Sequence, residues 1–95
     1  AGAIYGQRDY HEQRWSEEFQ ANLLDALLRH IESPGCDCIG VCLWQFSDCR
    51  TTERLETALG RPRGYNNKGL FDEYRRPKLA ARIVREHFRR TSRSL

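Results

Sequence analysis

The alternation of apolar and polar positions divides the chain into five stretches. Residues 1–14, AGAIYGQRDYHEQR, follow neither a helical nor a strand period, so they predict a loop. Phe19, Leu23, Leu27 and Ile31 then recur every four residues, with Leu24 and Leu28 widening the stripe, and this predicts an amphipathic helix over 15–33. Ser16 is its expected N-cap, followed by Glu17 and Glu18 where the helix dipole favours negative charge. Pro34-Gly35 is the expected stop. Residues 38–46 are apolar at nearly every position, the pattern of a strand covered on both faces. A long polar connection follows over 47–76, containing Gly60, Pro62, Gly64 and Gly69, with a short helical turn expected over Thr51 to Leu59. Pro77 opens a second predicted helix, 77–91, where its missing N–H is harmless. Ala80, Ile83, Val84 and Phe88 form its expected buried stripe, with His87 beside them, and Arg82, Arg85, Arg89 and Arg90 face away.

An interior parallel strand needs a hydrogen-bonded neighbour on each side, and no second stretch here predicts a convincing strand. The partners of residues 38–46 are therefore expected from outside the 95 residues. Loop, helix, buried strand, long loop and helix match a piece of an alternating α/β architecture better than a complete domain. In a (β/α)8 barrel, chemistry sits on the loops after the strand ends, which directs attention to Trp44, Phe46, Asp48 and the loop beyond them.

Composition narrows the picture. Apolar residues make up 39% and charged residues 31%, little material for an independent core. No apolar run is long enough to span a membrane, and no basic stretch followed by an apolar one suggests a signal peptide. The chain starts Ala1-Gly2-Ala3 and contains no Met, which fits an internal start. Cys36, Cys38, Cys42 and Cys49 lack the C-x2-C spacing of a zinc site, so no metal and no cofactor is expected. Buried free thiols acting as small hydrophobes are the favoured reading, which suggests a reducing, cytoplasmic setting. His11, His30 and His87 have no acidic or nucleophilic partner at a telling spacing. The net charge is +3, and the basic stretch at the end of the chain leaves a nucleic-acid-binding module as a rival reading. The unpartnered strand argues against such an independent module.

Within the long loop lies Arg61-Pro62-Arg63-Gly64-Tyr65-Asn66-Asn67-Lys68-Gly69, basic and without an acidic residue. Asn66 and Lys68 are two apart, so in extended chain they project to one side, where an amide and an ammonium suit a carboxylate or phosphate. Four motifs in order, Trp15-Ser16-Glu17-Glu18-Phe19-Gln20, Leu43-Trp44-Gln45-Phe46-Ser47-Asp48, Asn66-Asn67-Lys68-Gly69-Leu70-Phe71 and Arg75-Arg76-Pro77-Lys78-Leu79-Ala80-Ala81, resemble the C-terminal part of the catalytic barrel of family 2 glycoside hydrolases, in particular the β-glucuronidases. Gln45 departs from the commoner Asn after the Trp, and Cys49 from an aromatic.

The resemblance implies a fragment of a (β/α)8 TIM barrel, with 1–14 the loop after strand seven, 15–33 helix seven, 38–46 strand eight, 47–76 a substrate loop and 77–91 helix eight. It implies a retaining mechanism whose two catalytic glutamates both lie upstream of Ala1, so no catalytic residue is expected in this chain. Asn66 and Lys68 match the family's grip on the C6 carboxylate of glucuronate, and Trp44 matches the tryptophan that lines the sugar pocket. A basic residue upstream is also usual. Arg63 is the candidate and Arg61 the alternative. The implied partners are a glucuronide or related glycoside and the remainder of the barrel, in a parent that can be a homo-oligomer, with no nucleic acid and no membrane. A same-family glycosidase for a neutral sugar or a galacturonide is the nearer alternative.

Overall fold

The computed structural model describes residues 2–51 and 61–94, with side chains described as far as Arg90. The first helix, α1, spans Glu17–Glu32. Ser16 caps it as expected: its Oγ accepts from the Phe19 N–H at 3.1 Å and donates to the Gln13 carbonyl at 2.6 Å. At the other end Ser33 leaves the helix in extended conformation, and Gly35 takes a φ of 91° that a side chain would resist. The second helix, α2, spans Leu79–Ser94 and packs against α1. Ala21 and Leu28 of α1 and Ala80 and Val84 of α2 are buried, and the small Ala80 is fully enclosed.

α2 begins two residues later than the sequence predicts. Asp72 accounts for the difference. Its carboxylate accepts from the N–H groups of Tyr74 at 2.9 Å and Arg76 at 2.7 Å, folding 72–76 into a tight turn. Pro77 is thereby drawn into an antiparallel bridge with Phe71 instead of entering the helix.

Between the helices, β1 (Cys49–Arg50) pairs antiparallel with β2 (Tyr65–Asn66), Cys49 opposite Asn66 and Arg50 opposite Tyr65. A short 3-10 turn, Pro62–Gly64, leads into β2. These strands are two residues long, too short for a period-2 pattern to announce them. The helical turn expected over Thr51 to Leu59 falls, apart from Thr51, outside the described residues.

Residues 38–46 do not form the predicted strand. Val41, Leu43 and Gln45 are half-buried and alternate with exposed Cys42, Trp44 and Phe46, so the two-sided periodicity of a strand is present. The ladder is not. Among the described residues, no backbone hydrogen bond involves 37–44. The reason is physical: a parallel strand satisfies its N–H and C=O groups through neighbours on both sides, and the described residues supply none. The same lack of cover corrects two further expectations. Leu23, Leu27 and Phe88, expected in the buried stripes, are exposed, and Cys38, Cys42 and Cys49 are exposed free thiols, not buried ones. Ile39 is fully open to solvent.

The chain exposes 7029 Å² in all. A compact chain of 11.2 kDa would expose about 5,700 Å². Among the described residues, no helix is long and apolar enough to cross a membrane.

Candidate functional site

Residues 45–48, at the end of the failed strand, lie alongside residues 68–71. Gln45 N–H donates to the Lys68 carbonyl at 3.2 Å, Leu70 N–H to the Gln45 carbonyl at 3.0 Å, Phe71 N–H to the Phe46 carbonyl at 2.9 Å and Asp48 N–H to the Phe71 carbonyl at 2.9 Å. Ser47 and Phe71 form a parallel bridge. These contacts, with Asn66 opposite Cys49, bring the loop that carries Asn66 and Lys68 against the segment that carries Trp44. Gly69 permits the approach. A Cβ there would collide with the backbone of Ser47 and Asp48.

Alternate residues of the loop face opposite ways. Asn67 and Gly69 are buried, while Asn66 is half-buried and Lys68 exposed. Asn67 is held on every side. Its Nδ2 donates to the Pro62 and Tyr65 carbonyls at 2.9 and 3.0 Å, and its Oδ1 accepts from Arg63 Nη2 at 2.7 Å. Its backbone carbonyl accepts from Ala3 N–H at 2.9 Å and from Lys78 Nζ at 3.1 Å. The Gly69 N–H donates to Asp48 Oδ1 at 2.9 Å, and the Gly69 carbonyl accepts from Gln20 Nε2 at 3.0 Å. With the inward residues tied down, Asn66 and Lys68 are presented outward.

Asn66 has a fixed amide orientation. Its Oδ1 accepts the Lys68 N–H at 3.1 Å, which leaves the Nδ2 group as the outward donor. Neither Asn66 Nδ2 nor Lys68 Nζ has a hydrogen-bond or ion-pair partner among the described residues. Trp44 exposes 73% of its surface, and the Trp44–Gln45 peptide is cis. Phe46 is also exposed on one side, stacked against Phe71 with ring centroids 4.8 Å apart.

Arg63 is placed differently from the other three candidates. Its Nη1 donates to Glu73 Oε2 at 2.7 Å, its Nη2 to Asn67 Oδ1 and to Asp48 Oδ2 at 3.3 Å, and its Nε to Asn67 Oδ1 at 3.3 Å. The guanidinium also lies 4.7 Å from the centre of the Tyr65 ring. All three of its nitrogens are therefore engaged within the protein. Burial tends to raise the Glu73 carboxyl, but the Arg63 hydrogen bond and charge outweigh it and hold that group below the usual carboxylate range.

Beneath the loop lies a buried ion pair that the sequence did not disclose. Lys78 Nζ, without solvent exposure, donates to Asp48 Oδ1 at 2.8 Å and to the Ala3 carbonyl at 2.7 Å, as well as to Asn67. Burial pushes the Asp48 carboxyl up and the Lys78 ammonium down, each opposed by the other's hydrogen bond and charge. Two cations, Lys78 and Arg63, and two anions, Asp48 and Glu73, close on one another here. Among the described residues, Lys68 has no ion-pair partner and leaves a positive charge on the presenting side.

Two supports come from α1. Glu17, read from sequence as a first-turn carboxylate, also accepts from Gly6 N–H at 2.6 Å and from Leu79 N–H at 2.8 Å, placing a negative charge at the start of α2. His87, for which the sequence offers no acidic partner at a telling spacing, is buried with Nε2 2.7 Å from Asp25 Oδ1 and Nδ1 2.6 Å from Glu32 Oε1. Asp25 and Glu32 stand seven apart on α1, so two helical turns bring both carboxylates to one face. That spacing was the only available signal.

An outward amide and ammonium thus stand on a loop fixed from beneath by buried ion pairs, beside a segment that carries an exposed tryptophan. No family model matches the chain. A β-galacturonidase of glycoside hydrolase family 2 from Eisenbergiella tayi, solved bound to galacturonate, superposes with a TM-score of 0.84 at 46% identity, covering 94% of this chain and 15% of that one. The Bifidobacterium dentium β-glucuronidase complexed with coumarin-3-O-glucuronide superposes with a TM-score of 0.78 at 32% identity, covering 94% and 13%. Rat β-glucuronidase is 32% identical over 89 residues, 93% of this chain and 13% of the rat protein. The chain belongs to glycoside hydrolase family 2. It corresponds to a fragment of a β-glucuronidase-like member, spanning about an eighth to a seventh of the relatives it matches.

Proposed function

We propose that this chain supplies the uronate-recognising part of a retaining β-uronidase. The observation that carries the reading is the pair of outward donors, Asn66 Nδ2 and Lys68 Nζ, two residues apart and without partners among the described residues, on a loop whose inward residues are fixed. A hexuronide presents a C6 carboxylate where a neutral sugar presents a hydroxymethyl group. An ammonium is rewarded only by the former. Trp44 gives the sugar ring an apolar wall. In this reading α1 and α2 are helices seven and eight of a (β/α)8 barrel, and residues 38–46 are strand eight, completed by strands outside the chain. The acid/base and nucleophile carboxyl groups belong upstream of Ala1 and stand about 5 to 5.5 Å apart, as retention of configuration requires.

The test uses the intact enzyme that contains this chain. Lys68→Ala lowers kcat/KM on an aryl β-D-hexuronide by roughly ten- to 150-fold, the equivalent of a hydrogen bond to a charged group, and spares any neutral-glycoside activity. Equal losses on both substrates would refute the clamp. The neighbours' substrates differ at C4, and the higher identity to the galacturonidase, 46% against 32%, favours a galacturonide over the glucuronide. The ratio of kcat/KM on the two aryl uronides decides between them.

A further inference from the structure

We propose that Arg63 is a positioning residue for the uronate clamp, acting through Asn67 while Glu73 holds it in place, and that it does not touch the sugar. The proposal rests on the reading of Asn66 and Lys68 given above.

Asn67 is the residue between the two clamp side chains, so whatever fixes it fixes the direction in which both neighbours project. Its Oδ1 is gripped by two nitrogens of Arg63, at 2.7 and 3.3 Å. With Oδ1 held, the amide cannot turn over, and its Nδ2 stays on the Pro62 and Tyr65 carbonyls. Glu73, on the turn before α2, anchors the far end of the guanidinium at 2.7 Å. Asp48 Oδ2, fully buried, takes the remaining contact at 3.3 Å. For Arg63 to reach a substrate it would have to release Glu73 and strip a donor from the buried Asp48 carboxylate, which is costly for a charge without solvent. Arg63 also sits in the left-handed region at a φ of 65°, within the turn that feeds the clamp, so its backbone and its side chain constrain the same few residues.

Glu73 provides the discriminating perturbation, because a substrate contact and a positioning role predict opposite consequences of removing it. If Arg63 bound the sugar carboxylate, freeing it from a competing carboxylate would leave uronide binding unchanged or improve it. If Arg63 positions Asn67, losing its anchor weakens the clamp. In the intact enzyme, Glu73→Gln and Arg63→Gln are each expected to raise KM for an aryl β-D-hexuronide about three- to tenfold, with kcat on a neutral glycoside unchanged. The double variant is expected to be no worse than Arg63→Gln alone. Arg63→Lys, which keeps the charge and loses the planar fork, is expected to stay impaired.

A lowered or unchanged KM for Glu73→Gln beside a raised one for Arg63→Gln would overturn the positioning role, as would full recovery in Arg63→Lys. Arg63→Gln is also expected to have little further effect in a Lys68→Ala background, and undiminished loss there would count against it. If Lys68→Ala shows no preference for uronides, the clamp reading falls and this proposal with it. A selective Lys68→Ala beside a silent Glu73→Gln overturns the proposal alone.

Discussion

Replacing Lys78 by Met tests the foundation on which the loop carrying Asn66 and Lys68 stands. Met preserves length and apolar character but removes the ammonium that joins the Ala3 carbonyl, the Asn67 carbonyl and the Asp48 carboxylate. Removing one partner from a buried ion pair typically costs about 3–5 kcal/mol, because the other charge is left without compensation. Asp48 retains the Gly69 N–H and Arg63, which places the expected loss at the lower end, about 3 kcal/mol. In a large multidomain enzyme a global melt is a poor gauge of that loss, so amide hydrogen exchange is the better assay. The N–H groups of Ala3 and Gly69 bond into this network, to the Asn67 carbonyl and the Asp48 carboxylate, and their exchange is expected to accelerate about 100-fold or more. The far end of the helix pair, around Asp25 and His87, is expected to remain unchanged. Asp48→Asn added to Lys78→Met restores part of the protection, since the uncompensated charge is gone. Exchange at Ala3 and Gly69 within about threefold of wild type in Lys78→Met would show that the pair carries little of the local stability, and the reasoning would fail.

Gly69→Ala is expected to displace the clamp loop and reduce uronide activity at least tenfold, because the added methyl meets the backbone of Ser47 and Asp48, which have no flexible end to yield. Activity near wild type, measured on a soluble variant, would contradict it. The carboxyls of Asp25, Asp72 and Glu73 are all held below their usual range. The stability they contribute is fully present above their unfolded values of about 4 and is lost as pH falls through their lower folded values. Asp25 owes its shift first to His87 and then to Arg29, so in the intact enzyme Asp25→Asn is expected to flatten the acid-side fall in amide-exchange protection of α1 around residue 25, and an unaltered fall would argue against it. The isolated 95-residue chain is expected to show weak helicity by circular dichroism and no cooperative melt, given the unpaired residues 37–44 and its excess exposed surface. A sharp two-state transition would refute that.

What the sequence made legible was local. Ser16 with Glu17 and Glu18, and Pro34-Gly35 at the far end, set α1 within two residues at its start and one at its end, because capping needs only near neighbours. The two-residue spacing of Asn66 and Lys68 likewise implied a shared direction, and the alternating burial of 66 to 69 agrees with it. What stayed hidden depends on residues far apart in the chain. Lys78 looked like one more cation in a basic stretch, yet its carbonyl partner Ala3 is 75 residues away. Glu17 meets the start of α2 across 62 residues, and His87 meets Glu32 across 55. Arg63 carried the right charge for a ligand contact, and only the positions of Asn67, Glu73 and Asp48 reveal where that charge is engaged. Burial of Leu23, Leu27 and Phe88 failed for another reason: periodicity says that a face is apolar, not which body covers it.

The alternation along residues 66–69 separates two kinds of selective pressure. Positions 67 and 69 answer to the scaffold, where a change of side chain disturbs a carbonyl, an ion pair or a packed backbone. At positions 66 and 68 the outward donors, Asn66 Nδ2 and Lys68 Nζ, answer to what lies outside the loop. If the outward pair grips the sugar's acid group as proposed, a change of sugar preference can arise by substitution there without first repairing the support beneath it. A single-residue insertion before Asn66 would do the reverse, turning the outward pair inward and the structural pair toward solvent. Point substitution is thus the open evolutionary route at this loop, and changes of length are closed to it.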